Sequence, residues 1–148
     1  MNNQVAQAVL NKFLPKFAKD AVIMYVASSL NPDHLNGLVK FGLKPRKNIA
    51  LPSVVAYCEQ RNWFYMIDTC ETSPASTVIT EARLTELSNL TRQSMAETVF
   101  VTAFENKNSF ANYADEIAWE SHVWTADNPE HMIHFNGDKF LGPYAKAR

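Results

Sequence analysis

The sequence predicts an α/β fold in which a mixed central sheet is flanked by helices. Short apolar runs of strand length alternate with segments of helical periodicity along the chain. Two of the strand-like runs are joined by only three polar residues, Glu59, Gln60 and Arg61, which indicates a hairpin. Alternation of the two element types favours a sheet covered by helices, and the hairpin adds antiparallel pairing to it.

The first helix is predicted from apolar residues at four-residue spacing. Val5, Val9 and Phe13 lie on one face of it, and Pro15 is expected to end it. The apolar run over residues 21–27 has the length of a buried strand.

A second helix is predicted to start at Asn31, which can act as N-cap with Pro32 in the first turn. Gly42 is its expected stop. The two strands of the central hairpin follow over residues 52–58 and 62–70, where β-branched and aromatic residues are frequent.

The second half of the chain continues the alternation. A helix over residues 77–90 has three leucines in line, Leu84, Leu87 and Leu90. The remaining predicted elements are a buried strand over 98–104, a helix from Asn108 or Ser109 to Ile117, a strand over 122–126, and a hairpin turning at Asn136-Gly137.

The amino-acid composition is that of an ordinary globular protein. Its 148 residues are expected to form a single domain over 1–148, with 47% hydrophobic and 20% charged residues. No apolar run reaches the ~18 residues of a membrane span, and no secretory leader is visible, so we expect a cytoplasmic protein without membrane association. Cys58 and Cys70 fit that compartment as free thiols.

The charge balance argues against a dedicated DNA-binding domain. Fourteen Lys and Arg face fifteen Asp and Glu, for a net charge of −1. Duplex-binding proteins usually carry a basic excess, because neutralised phosphates supply most of their affinity. The one basic cluster contains Lys44, Arg46 and Lys47. It is a candidate grip for phosphate or for an acidic partner surface, and a solvated loop is the competing interpretation.

Several segments resemble the BsuBI/PstI-type restriction endonucleases. They are VFVTAF (99–104), IAWESHVW (117–124) and PEHMIHFNGDKFLGP (129–143), with LPSVVAY (51–57) upstream. The resemblance covers nearly the whole chain. It implies a nuclease core of the PD-(D/E)XK kind that cuts double-stranded DNA at a short palindrome, as a dimer, with Mg²⁺. Members of this family are longer and carry an additional N-terminal helical domain, which we expect this chain to lack.

The resemblance makes carboxylates the decisive residues, since they hold the cation that activates water in such cores. Ser53 stands where the family pattern Leu-Pro-Asp has its metal-binding Asp. Residues 27–29 read Ala-Ser-Ser where the family has Gly-Asp-Thr. Asp68 stands where the family has Glu, and Cys70 occupies the position of the Lys of a general PD-(D/E)XK core. A neutral hydroxyl in place of a carboxylate should weaken Mg²⁺ binding severely.

The remaining acids offer one alternative site. Asp68 together with Glu71 or Glu59 could form a rearranged metal centre. Glu71 lies an odd number of residues from Asp68, so on a regular strand the two would face opposite ways. Only a bulge or the end of the strand would bring both to one ion.

The histidine and tryptophan residues are predicted to stabilise the fold and not to bind a metal or DNA bases. His131 and His134 would point to opposite faces of a strand, so we interpret them as packing or hydrogen-bonding side chains. Core packing is favoured over base stacking for Trp63, Trp119 and Trp124.

The leading hypothesis is a catalytically degenerate endonuclease-like domain that acts by binding a protein partner. It needs no cofactor, keeps the dimer surface of the family, and fits a phage-type inhibitor of a bacterial defence system. The first alternative is an active Mg²⁺- or Mn²⁺-dependent endonuclease with a rearranged site on Asp68. The second is a DNA-binding module that does not cleave.

Overall fold

Six strands form one mixed sheet, in a computed structural model that describes residues 4–27, 42–43, 45–46, 48–70, 78–91 and 98–135. The strands are β1 Val22–Val26, β2 Val54–Cys58, β3 Trp63–Cys70, β4 Thr98–Phe104, β5 Ser121–Thr125 and β6 Ile133–Phe135. Their spatial order is the order of the chain. Pairing is parallel from β3 to β5 and antiparallel elsewhere. The predicted α/β class with a mixed sheet is confirmed.

The N-terminal helical segment continues beyond the predicted stop at Pro15. It consists of α1 Gln4–Ala8, a π-helical turn Val9–Phe13 and α2 Leu14–Phe17. Pro15 lies in the first turn of α2, where a missing N–H costs little. The wider π turn before it interrupts the regular hydrogen-bond ladder at the place where proline would otherwise clash. The prediction that Pro15 ends the helix was therefore wrong.

The other helices are shorter than predicted, and neither begins at the predicted residue. The helix predicted over 77–90 is α3 Glu81–Ser88, and Thr80 caps it by accepting a hydrogen bond from the backbone N–H of Arg83. In α4 Lys107–Ala111 the cap is Asn106, rather than Asn108 or Ser109. A 3₁₀ helix, Ala114–Glu116, follows α4.

Two predicted elements fall outside the described residues. They are the helix from Asn31, of which only its expected stop Gly42 is described, and the turn at Asn136-Gly137. Gly42 has a φ of 102°, a backbone conformation that glycine adopts without steric cost.

Both faces of the inner strands β2 to β5 are covered, which explains why these strands read as continuous apolar runs, whereas Val22 and Ile23 of the edge strand β1 are exposed. The N-terminal helical segment packs on one face, where Phe13 meets Trp124 edge to face with ring centroids 5.6 Å apart. Helix α3 packs on the other face, where Leu87 joins the core around Met66. Trp124 is fully buried as predicted, whereas Trp119 is 61% exposed, so the core interpretation was wrong for that residue.

Candidate active site

The candidate site lies at one corner of the sheet, where β1 ends, β2 begins and β3 ends. The backbone N–H of Ala27 donates to the carbonyl oxygen of Ser53 over 2.8 Å, which ties the end of β1 to the start of β2. Val54 pairs with Ile67 in the β2–β3 hairpin, so the preceding residue Ser53 stands next to Asp68. The structure thus places the two residues that the sequence singled out side by side in the hairpin register, while the hydrogen bonds of the Ser53 side chain go to Thr69.

Ser53 closes the open end of the hairpin with its side chain. Its hydroxyl oxygen accepts hydrogen bonds from both the backbone N–H and the Oγ1 of Thr69, each over 3.1 Å. A hydroxyl oxygen has two lone pairs, and both are directed at donors here. Ser53 therefore acts as an acceptor for the neighbouring strand.

Asp68 forms a buried, two-pronged ion pair with Arg83. The side chain of Asp68 is 1% exposed, and that of Arg83 is 12% exposed. Nε of Arg83 donates to Oδ2 over 2.7 Å, and Nη2 donates to Oδ1 over 3.1 Å. Two parallel charge-assisted hydrogen bonds of this kind are among the stronger polar contacts in proteins. Each carboxylate oxygen thus already has a cationic donor.

The position of Arg83 follows from the way α3 is fixed above the sheet. Asp68 on β3 is paired with Thr102 on β4. The Thr102 hydroxyl accepts a hydrogen bond over 3.0 Å from the backbone N–H of Ile79, which anchors the chain just before the helix. Thr80 then starts α3 as its cap, and Arg83 follows in the first turn. The hydrogen bond to the buried hydroxyl of Thr102 therefore fixes the start of α3 at a position from which the guanidinium of Arg83 reaches the carboxylate of Asp68.

Arg83 also holds the loop that leads into β2. Nη1 donates to the carbonyl oxygen of Ala50 over 2.8 Å and lies 3.6 Å from a carboxylate oxygen of Glu86. Burial by itself would lower the pKa of Arg83, but the hydrogen bond and charge of Asp68, aided by Glu86, raise that pKa above its ordinary value. The guanidinium is a permanent positive charge that joins α3, β3 and this loop.

The alternative acids do not form a site with Asp68 in the described residues. Glu59 is exposed in the turn between β2 and β3. Asp68 lies five residues along β3 from Trp63, so the two acids are separated by roughly 17 Å of strand. The suggestion that Glu59 joins Asp68 in one metal centre was therefore wrong. Glu59 lies in the turn of the hairpin, and Asp68 lies near its opposite, open end. Glu71 lies outside the described residues, and Cys70 is a buried thiol that forms no disulfide.

The basic cluster is only partly described. Arg46 is exposed in a turn in which the N–H of Ile49 donates to its carbonyl oxygen over 3.3 Å. Lys44, Lys47 and Ser28-Ser29 lie outside the described residues.

Within the part of the chain that the structure describes, no three His, Cys, Asp or Glu side chains converge as a metal site would require. The described helices include none that is long and apolar enough to cross a membrane.

Arg83 is the functional-site residue that the sequence interpretation missed. A signal for it was present. An Asp in the apolar run 63–70 needs a partner once it is buried, and Arg83 is the sole cation in the helix predicted over 77–90.

Comparison with known proteins places this geometry in a family. The model of the BsuBI/PstI restriction endonuclease domain matches residues 1–138. The chain belongs to this family. The type II restriction enzyme BsuBI of Bacillus subtilis is 32% identical over 146 residues, which are 97% of this chain and 45% of BsuBI. The type II restriction enzyme AplI of Arthrospira platensis is 33% identical over 90 residues, 61% of this chain and 27% of AplI.

A solved structure supports the same fold assignment. The SdaI restriction endonuclease superposes with a TM-score of 0.82 at 28% identity, over 96% of this chain and 45% of SdaI. The chain therefore has a restriction-endonuclease-like fold, as the resemblance implied. It spans less than half the length of BsuBI and of SdaI.

Proposed function

We propose that this chain is a restriction-endonuclease-like domain that has lost phosphodiester cleavage and acts by binding a protein partner. The observation that supports loss of cleavage is the buried ion pair between Asp68 and Arg83. Mg²⁺ in nuclease cores is held by carboxylates and water. Here the described carboxylate is bound on both oxygens by a guanidinium, and the neighbouring Ser53 is neutral.

Charge supports this interpretation further. A divalent cation near Asp68 would have to displace Arg83 or share the carboxylate with it, and two cations at one carboxylate repel each other. The hydroxyl of Ser53 offers no negative charge in compensation, and it already accepts two hydrogen bonds. The described donors at this corner therefore do not fit Mg²⁺.

The proposed partner is another protein chain, with a nuclease of the same family as the leading candidate. A domain that keeps the fold of the family also offers a surface through which family members can pair. A net charge of −1 suits a protein surface better than the phosphates of duplex DNA. Pairing with an active nuclease would give an inhibitor of a bacterial defence system, as in phage-type anti-defence proteins.

Titration of the purified chain into an active BsuBI-type endonuclease tests this proposal. Plasmid cleavage should fall as the chain is added, and light scattering after size exclusion should show a mixed complex. An unrelated acidic protein of similar size serves as the control. A chain that forms no protein complex, yet binds duplex DNA tightly with a steep salt dependence, would instead be the non-cleaving DNA-binding module.

A second candidate is an active Mg²⁺- or Mn²⁺-dependent endonuclease, which is favoured by two relatives named as restriction enzymes. Its centre would combine Asp68 with Glu71. Purified chain is incubated with plasmid and Mn²⁺, alongside Asp68→Asn and the matched control Glu59→Gln. Cleavage that disappears only in Asp68→Asn would establish this candidate and refute the loss of cleavage. Intact plasmid under varied metal, salt and pH conditions would exclude it.

A further inference from the structure

Two histidines face each other across the β5–β6 pair, outside the candidate active site. His122 of β5 stands directly opposite His134 of β6. Their Nδ1 atoms are 2.6 Å apart, and the ring planes are nearly perpendicular, at 89°. Directly opposed residues on antiparallel strands have Cβ atoms about 4.5–5.5 Å apart, so the two rings meet without distortion of the backbone.

The contact between the rings leaves ring nitrogen available as a ligand. Only one proton fits between two nitrogens at this separation, so at least one Nδ1 carries a lone pair directed at the other ring. Burial, and to a lesser degree the nearby His134, lower the pKa of His122 to about 4, so that this ring is neutral at pH 7. His134 is exposed to solvent, which gives an ion a route to the pair.

We propose that His122 and His134 form a two-imidazole binding site for a late first-row divalent ion, such as Ni²⁺ or Zn²⁺. Imidazole nitrogen is a ligand that suits these ions. With metal–nitrogen bonds of about 2.0–2.1 Å in a tetrahedral arrangement, the two nitrogens would be roughly 3.3 Å apart. The rings therefore need to separate by less than about 1 Å, and the ion takes the place of the shared proton. Water supplies the remaining ligands, and the ion links β6 to β5.

This site is independent of the corner around Asp68. His122 lies two residues before Trp124, so it is on the sheet face covered by the N-terminal helical segment. Asp68 lies two residues after Met66, on the face covered by α3. An ion at the histidine pair would therefore not depend on the state of the Asp68–Arg83 ion pair or on the proposed function.

The chain contains a matched control for this site. His131 lies three residues before His134, but its Nδ1 is 2.7 Å from Oδ1 of Asn128 in the turn before β6. It has the same chemistry and similar exposure without a second imidazole opposite it. A nonspecific effect of histidine removal should appear equally in His131→Asn.

Calorimetric titration of the untagged chain with NiCl₂ at pH 7.5 tests the proposal. We expect one Ni²⁺ per chain for the wild type and for His131→Asn, and at least tenfold weaker binding for His134→Asn and His122→Asn. Mg²⁺, which prefers oxygen ligands, should not compete. Far-UV circular dichroism verifies that the variants are folded, and His134→Asn changes an exposed residue.

Three results would overturn the proposal. The first is a wild-type chain that takes up no Ni²⁺, in which case the rings share only a proton. The second is a folded His134→Asn variant that binds as tightly as the wild type. The third is an equal loss of binding in His131→Asn, which would show that the pair has no special role.

Discussion

Removal of the guanidinium from the Asp68–Arg83 ion pair should destabilise the domain strongly. The variant Arg83→Met keeps a long apolar stem, but it leaves the 1% exposed carboxylate of Asp68 without its cation and frees the carbonyl of Ala50. Removing one partner of a buried ion pair typically costs about 3–5 kcal/mol, because the remaining charge is left unpaired. For a chain of this size the melting temperature should fall by roughly 10 °C.

A double-mutant cycle separates this coupling from other effects. Urea denaturation gives the free energy of unfolding for the wild type, Asp68→Asn, Arg83→Met and the double variant. Both single variants should be less stable than the wild type. The double variant should lose less stability than the two single variants lose together. When both partners are replaced, no unpaired charge remains buried.

One result would refute this reasoning. A carboxylate that is retained for catalysis usually costs stability, so its neutral replacement often stabilises the fold. An Asp68→Asn variant that melts above the wild type would therefore argue for a functional carboxylate and against a structural ion pair. The same variant serves in the cleavage assay, so stability and activity are measured on one protein.

Three further predictions concern single side chains. The pKa of His122 is about 4 in the folded chain against 6.5 ordinarily, so the unfolded state binds more protons between these values. The free energy of unfolding should fall by at most about 3 kcal/mol as pH drops from 6.5 to 4 in the presence of EDTA, and His122→Gln should lose this dependence. Ser53→Ala leaves the N–H of Thr69 without its acceptor and should cost about 1–3 kcal/mol in urea denaturation; an unchanged midpoint would contradict that role. Thr80→Ala removes the cap of α3 and should cost about 1 kcal/mol, whereas Thr80→Ser should be nearly neutral.

The strands were predictable because burial on both faces leaves a direct record in the sequence. Thr98–Phe104 was predicted without error, since a run of seven residues rich in β-branched and aromatic side chains has the length and composition of a buried strand. The ends of the helices were predicted less well. Their caps depend on which of several neighbouring polar residues turns its side chain inward, and Asn106 and Thr80 gave no stronger local signal than Asn108 or Thr77.

The candidate site was predictable in part. The family resemblance implied that Ser53 and Asp68 belong to one site, whereas the predicted three-residue turn would pair Ser53 with Ile67, one residue away from the observed register. The partner of Asp68 could not be located in the same way. Arg83 reaches it from a helix fixed by a hydrogen bond between Ile79 and Thr102, a contact across 23 residues that no local pattern encodes.

The pairing of β3 also has a consequence for how the chain reaches its folded state. Its antiparallel partner β2 is connected to it by four residues, whereas its parallel partner β4 begins 28 residues after β3 ends. Hairpin closure takes microseconds, and nonlocal strand pairing is much slower because a long loop must close first. We therefore expect the β2–β3 hairpin to form early, also during synthesis on the ribosome. Until β4 arrives, the apolar edge of β3 remains unpaired, and this interval is when the chain is most prone to aggregate.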